Sequence, residues 1–77
     1  ITQIRYDLPE DVMVNITIYD IMGRTIRTLV KSKQTAGYRS IQWNATNNKG
    51  KSVSAGMYFY TIHAGDFRQT KKMVLLK

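Results

Sequence analysis

Few side chains in this sequence could do chemistry. One imidazole, His63, five carboxylates (Asp7, Glu10, Asp11, Asp20 and Asp66) and no cysteine thiol are the groups that could move a proton or hold a metal ion. His63 sits in an alternating run, and the hydroxyls that would complete a nucleophilic triad with it, Ser40, Ser52 and Ser54, have no spacing that sets an acid behind the ring. All five acids stand beside turn-forming residues, where carboxylates commonly accept backbone N–H groups. The segment Asn44 to Gly50 is rich in oxygen donors, but they are neutral amides, and a tight calcium site needs carboxylates. The expectation is a chain that is not an enzyme and carries no cofactor and no metal.

Binding is the remaining chemistry. Twelve Lys and Arg against five acids give a net charge of +7, which favours anionic partners. One basic segment holds Arg24, Arg27, Lys31 and Lys33, another Arg68, Lys71, Lys72 and Lys77, with Tyr38 and Phe67 as stacking candidates. The charge is nonetheless dispersed over nearly every strand and no recognition motif accompanies it, so nucleic acid is not the expected partner. Asn15-Ile16-Thr17 and Asn44-Ala45-Thr46 match the glycosylation acceptor pattern, which carries meaning only in a eukaryotic secretory setting.

Those residues must be positioned by strands. Seventy-seven residues suffice for one domain. No apolar run approaches the ~20 residues of a membrane helix, and Ile1-Thr2-Gln3 lacks the start of a signal peptide, so any export signal is expected upstream. Ile4, Tyr6 and Leu8 alternate with polar residues up to Pro9, and Val12, Val14, Ile16 and Ile18 alternate next, the period of half-buried strands. Asp20-Ile21-Met22-Gly23 reads as a reversal, with an acceptor side chain at its start and a positive φ at the glycine. Arg24 to Val30 is a third strand whose inward phase conflicts between Ile26 and the pair Leu29-Val30, a conflict a bulge would reconcile.

Lys31 to Gly37 reads as a loop, and Tyr38 to Asn44 as a strand with Ile41 and Trp43 inward. After the turn cluster of residues 45–51, Ser52-Val53-Ser54 is a short edge strand in this reading. Gly56 opens a strand with Tyr58, Tyr60 and Ile62 on one face, and Phe67 to Leu76 closes the pattern with a run expected to be buried on both faces. Six to seven strands with turn signals between them predict an all-β, immunoglobulin-like antiparallel β-sandwich, with an open barrel as the alternative.

Four segments in order, Ile4-Arg5-Tyr6-Asp7-Leu8-Pro9, Ile18-Tyr19-Asp20-Ile21-Met22-Gly23-Arg24, Gly56-Met57-Tyr58 and Lys72-Met73-Val74-Leu75-Leu76-Lys77, resemble the C-terminal sorting domain of proteins exported by the bacterial type IX secretion system. That family is closely similar to the immunoglobulin-like domain of flagellar hook-capping proteins. Family members often carry acids where this chain has Asn44, Asn47 and Asn48.

The resemblance implies a folded address label at the end of a larger secreted enzyme or adhesin, read by the outer-membrane translocation machinery. It also implies a sortase that cuts upstream of Ile1, attachment of the cargo to anionic lipopolysaccharide, and passage through the periplasm to the cell surface. Recognition is expected on the closing run Lys72, Met73, Val74, Leu75, Leu76 and Lys77, with Gly23, Arg24, Gly56 and Tyr58 shaping its support, and Tyr58 is expected to act like a tyrosine corner. The alternative is a structural immunoglobulin-like module, either of a hook-capping assembly or as a spacer beside a catalytic domain with affinity for carbohydrate.

Overall fold

The computed structural model describes residues 2–76. Six strands follow in order: β1 (Thr2–Leu8), β2 (Val12–Asp20), β3 (Thr25–Gln34), β4 (Gly37–Trp43), β5 (Gly56–Ala64) and β6 (Phe67–Leu75). All pairings are antiparallel, β1 with β4 in one sheet and β3-β2-β5-β6 in the other. The two sheets stack as an immunoglobulin-like β-sandwich. Among the described residues no helix is long and apolar enough to cross a membrane.

Period-two burial builds the core. β2 is the centre of it: Val14, Ile16 and Ile18 are fully enclosed, facing Ile4 and Leu8 of β1 and Trp43 of β4 from the opposite sheet. Tyr58 and Ile62 of β5, Leu75 of β6 and Val30 of β3 complete the buried set. Ile41 and Trp43 do share the inward face of β4, as the alternation requires.

The phase conflict in β3 is resolved by irregular pairing. Register slips between Ile16 and Thr17, and again between Ile18 and Tyr19, leave Leu29 and Ile26 without a cross-strand partner. Each extra residue shifts the alternation by one, so Ile26, Leu29 and Val30 all pack on the core.

Three expectations are corrected. Residues 31–34 belong to β3, because Lys31, Ser32, Lys33 and Gln34 continue the ladder with β2; backbone pairing does not require apolar side chains on a strand that overhangs its cover. Ser52-Val53-Ser54 is not a strand: Thr46 and Ser52 form one isolated bridge, and the Val53 N–H donates to Ala45 O at 2.9 Å. The closing run is not buried on both faces. β6 is an outer strand with one covered face, so Leu75 is buried and Met73 half-buried while Val74 and Leu76 are exposed.

Net stability for a chain of this length is about 4–12 kcal/mol. Ile16→Ala should remove about 2–5 kcal/mol of it by opening a cavity with no mobile neighbour to fill it, read as a fall in the urea midpoint. A midpoint within the error of the unsubstituted chain would contradict the placement of β2 at the centre.

Candidate functional site

The segments singled out by motif meet at one end of the sandwich. Asp20, the last residue of β2, pairs with Tyr58, so the reversal that carries Gly23 and Arg24 lies beside the start of β5 at Gly56. β6 runs alongside: Leu75 pairs with Gly56, Val74 with Met57, Met73 with Tyr58 and Lys72 with Phe59. The structure thereby gathers Gly23, Arg24, Gly56, Tyr58, Lys72, Met73, Val74, Leu75 and Leu76 in one region; Lys77 lies outside the described residues.

The Asp20 reversal is built by its own side chain. One carboxylate oxygen accepts the N–H groups of Met22 and Arg24, each at 2.9 Å, and the other accepts the Arg24 Nε–H at 2.9 Å. Backbone bonds from Gly23 N–H to Asp20 O and from Asp20 N–H to Arg24 O, both 3.0 Å, close the loop. Gly23 holds a φ of 82°, a conformation that side chains with a Cβ rarely adopt. The Arg24 N–H holds the Asp20 carboxyl below the ordinary carboxylate range; desolvation opposes it, and the Arg24 guanidinium and the Met22 N–H add to the lowering.

The same turn occurs twice. Asn47 Oδ1 accepts from the N–H groups of Lys49 and Lys51 at 2.9 and 3.0 Å, Gly50 N–H donates to Asn47 O and Asn47 N–H to Lys51 O. Asn47-x-x-Gly50-Lys51 thus repeats Asp20-x-x-Gly23-Arg24, with Gly50 at φ 79°. Asn48 is also committed: its side-chain oxygen accepts the Thr28 N–H and its own N–H donates to Ile26 O, both at 3.0 Å, which caps the outer edge of β3. These amide oxygens serve backbone donors.

Tyr58 is a core residue with a polar tip. Its ring meets Trp43 edge to face, centroids 5.3 Å apart, and its hydroxyl donates to Ser54 O at 2.7 Å. A buried tyrosine bonded to the backbone four residues upstream is the tyrosine-corner arrangement expected of it. Gly56, at φ 147°, makes the bend that lets Ser54 come back over the ring.

Around this framework lies an open groove of about 630 Å³ lined by Asp20, Ile21, Met22, Arg24, Ile26, Val53, Ser54, Ala55, Gly56, Met57 and Tyr58. Its rim is apolar. Ile21 lines the groove with Met57, and Met57 pairs with Val74, so these three exposed apolar side chains form one row; Met22 lines the groove too, and exposed Leu76 follows Leu75, the partner of Gly56. Motif reasoning missed Ile21, Met22 and Met57. Their signal was local: two large apolar residues at the centre of a turn, and a methionine on the outward phase of β5.

His63 is exposed on the outer face, in register between Asn15 and Arg68, with no acid or serine opposite it. Among the described residues no three His, Cys, Asp or Glu side chains lie close enough to share a metal ion.

The sequence model of the FlgD Ig-like domain family matches residues 1–66. The chain belongs to this family. No curated protein and no solved structure matches it. The matched span covers β1 to β5 and the turn after β5, and it ends before β6 begins at Phe67.

Two substitutions probe the framework of this FlgD Ig-like domain. Tyr58→Phe should cost about 1–2 kcal/mol in urea unfolding by leaving the Ser54 carbonyl without its donor. For Asp20 the folded carboxyl titrates below its unfolded value, so its stabilisation is complete above the unfolded value and lost as pH falls through the folded one. The urea-midpoint gap between the unsubstituted chain and Asp20→Asn should therefore be open at pH 7 and narrow as the pH falls below about 4, the ordinary carboxylate value. A gap that persists at pH 2 would remove the carboxylate from the account.

Proposed function

We propose that this FlgD Ig-like domain is a non-catalytic docking module, a structural unit that holds a protein partner against one end of its sandwich. The observation that supports this most is the exposed apolar row Ile21, Met57 and Val74, flanked by Met22 and Leu76 beside the groove. A small soluble chain with little core to spare gains nothing by leaving five large apolar side chains in water at one place; such a patch with a charged rim, here Arg24 and Lys72, suits a protein interface.

A second reading, an address label for type IX export, draws on the condition of the last strand. Of the two outer edges of the four-stranded sheet, that of β3 meets Asn48 at Ile26 and Thr28, whereas β6 carries exposed Val74, is followed by exposed Leu76, and has no further strand beyond it among the described residues. An uncapped edge offers backbone donors and acceptors to an added strand, and side-chain pockets in the receptor would read alternate residues. On this reading the partners are the translocation machinery, a sortase and anionic lipopolysaccharide, and the route runs through the periplasm to the cell surface.

Met57→Asp combined with Val74→Asp places two charges in the row without touching the core. In the assembled parent protein these changes should weaken association at least about tenfold, the scale of one lost apolar anchor, with the urea midpoint nearly unchanged. Unaltered association would defeat the docking reading. The export reading is separated by a secreted reporter fused to residues 1–77 in a cell with type IX machinery: removal of residues 73–77 should leave the reporter in the periplasm, and normal surface delivery would defeat that assignment.

A further inference from the structure

The outer face of the two-stranded sheet differs from every other surface of the molecule. Register and alternation set three exposed cross-strand pairs on it: Gln3 with Gln42, Arg5 with Ser40 and Asp7 with Tyr38. Tyr38 is 90% exposed, more than any other large apolar or aromatic side chain described. The strands beneath are clamped from inside by Ile4, Leu8 and Trp43, so this face is a rigid platform.

We infer that this platform binds an uncharged polysaccharide of pyranose rings, with Tyr38 stacking on the face of a sugar ring. Three observations select that occupant. First, the face carries no exposed aliphatic side chain, unlike the Ile21–Met57–Val74 end, so it lacks the apolar centre of a protein interface. Second, its charges cancel, Arg5 against Asp7, on a chain whose net charge is +7; this complements a neutral partner and not a polyanion. Third, its polar groups are free to serve a ligand. Arg5 donates only to neighbouring Gln3, at 3.2 Å, and Asp7, Ser40 and Gln42 have no side-chain hydrogen bond among the described residues, whereas Asp11, Asp20, Asn47 and Asn48 are committed to backbone donors.

The chemistry matches on both sides. A pyranose with equatorial hydroxyls presents a flat array of C–H bonds, which are drawn to the electron-rich face of the tyrosine ring, while its edge presents hydroxyls that donate to Asp7 and accept from Arg5. The cleft lined by Arg5, Tyr6, Asp7, Tyr38, Arg39 and Ser40 has a volume of about 490 Å³, within the range of ~300–1,000 Å³ typical of small-ligand sites. Seven residues per strand give the platform a length of about 24 Å, room for several sugar rings in a row.

The test is a titration of the 77-residue chain with cellohexaose, followed by backbone amide chemical shifts, with dextran sulfate as the comparison ligand. Cellohexaose should shift the amides of residues 3–7 and 38–42 and spare Met57 and Val74, with a dissociation constant on the millimolar scale expected for a single aromatic anchor. Tyr38→Ala should weaken it about tenfold and Tyr38→Trp should retain it, the same spectra showing that both variants are folded. Absence of shifts at ~10 mM, shifts confined to other surfaces, binding unaffected by Tyr38→Ala, or binding of dextran sulfate alone would each overturn the inference.

Discussion

The two sheets share no backbone hydrogen bonds, so everything depends on the side chains that join them, and the contact between Trp43 of β4 and Tyr58 of β5 does so with more than area. The rings meet edge to face at 5.3 Å and 73°, the geometry in which the positive edge of one meets the negative face of the other. Each ring also has a polar tip that must be satisfied once buried. Trp43 Nε1–H donates to Thr46 O at 2.8 Å, and the Tyr58 hydroxyl to Ser54 O at 2.7 Å. These acceptors stand near the two ends of residues 44–55, the segment that carries the chain from one sheet to the other. One aromatic pair therefore fixes both the spacing of the sheets and the path of the crossing between them.

That path shapes the grooved end of the sandwich. With the crossing pinned at Thr46 and Ser54, its middle is carried over to β3, where Arg27 donates to Thr46 Oγ1 at 3.2 Å and to Asn47 O at 2.9 Å, and Asn48 pairs with Ile26 and Thr28. Val53, Ser54 and Ala55 then form one wall of the groove opposite Ile21 and Met22. The wall's position follows from the core, so the exposed apolar row is presented on a rigid support and not on a free loop.

Much of this is legible in the sequence. β2, β4 and β5 announced themselves because each has one face on the core and so alternates cleanly, and Asp20 and Gly23 announced a turn because acceptor and positive φ are both needed there. The bulges in β3 were visible as a conflict of phase between Ile26 and Val30. Less legible was what depends on neighbours: residues 31–34 read as loop because a strand that overhangs its cover has no apolar pattern, and Met73 to Leu76 read as doubly buried because four apolar residues in a row do not reveal that their strand lies at an edge. The equivalence of Asp20–Arg24 and Asn47–Lys51 also escaped, since one turn joins two strands and the other lies inside a long crossing. Gly23 and Gly56 are legible from the backbone freedom their bends need, and Arg24 and Tyr58 enter through the resemblance of their segments, whereas the exposure of Ile21 and Met57 is decided only by the folded arrangement.

The imbalance between a two-stranded and a four-stranded sheet sets the character of β6. Its inward positions are Phe67, Gln69, Lys71, Met73 and Leu75, yet only the last two are covered, because a gap lined by Tyr6, Leu8, Ile62, Phe67, Gln69 and Lys71 separates the other half of the strand from β1. An inward-facing lysine on an outer strand discourages indiscriminate edge pairing along that half, while the half from Lys72 onward keeps its apolar outer face. β6 is held chiefly by its backbone ladder to β5 and anchored in the core only near Leu75. Segments with so few buried apolar contacts open at lower free energy than the central strands. The element best placed to meet a partner is thus also the one whose detachment disturbs the core least, and β2, with Val14, Ile16 and Ile18 enclosed, is the one that keeps the sandwich closed while it does so.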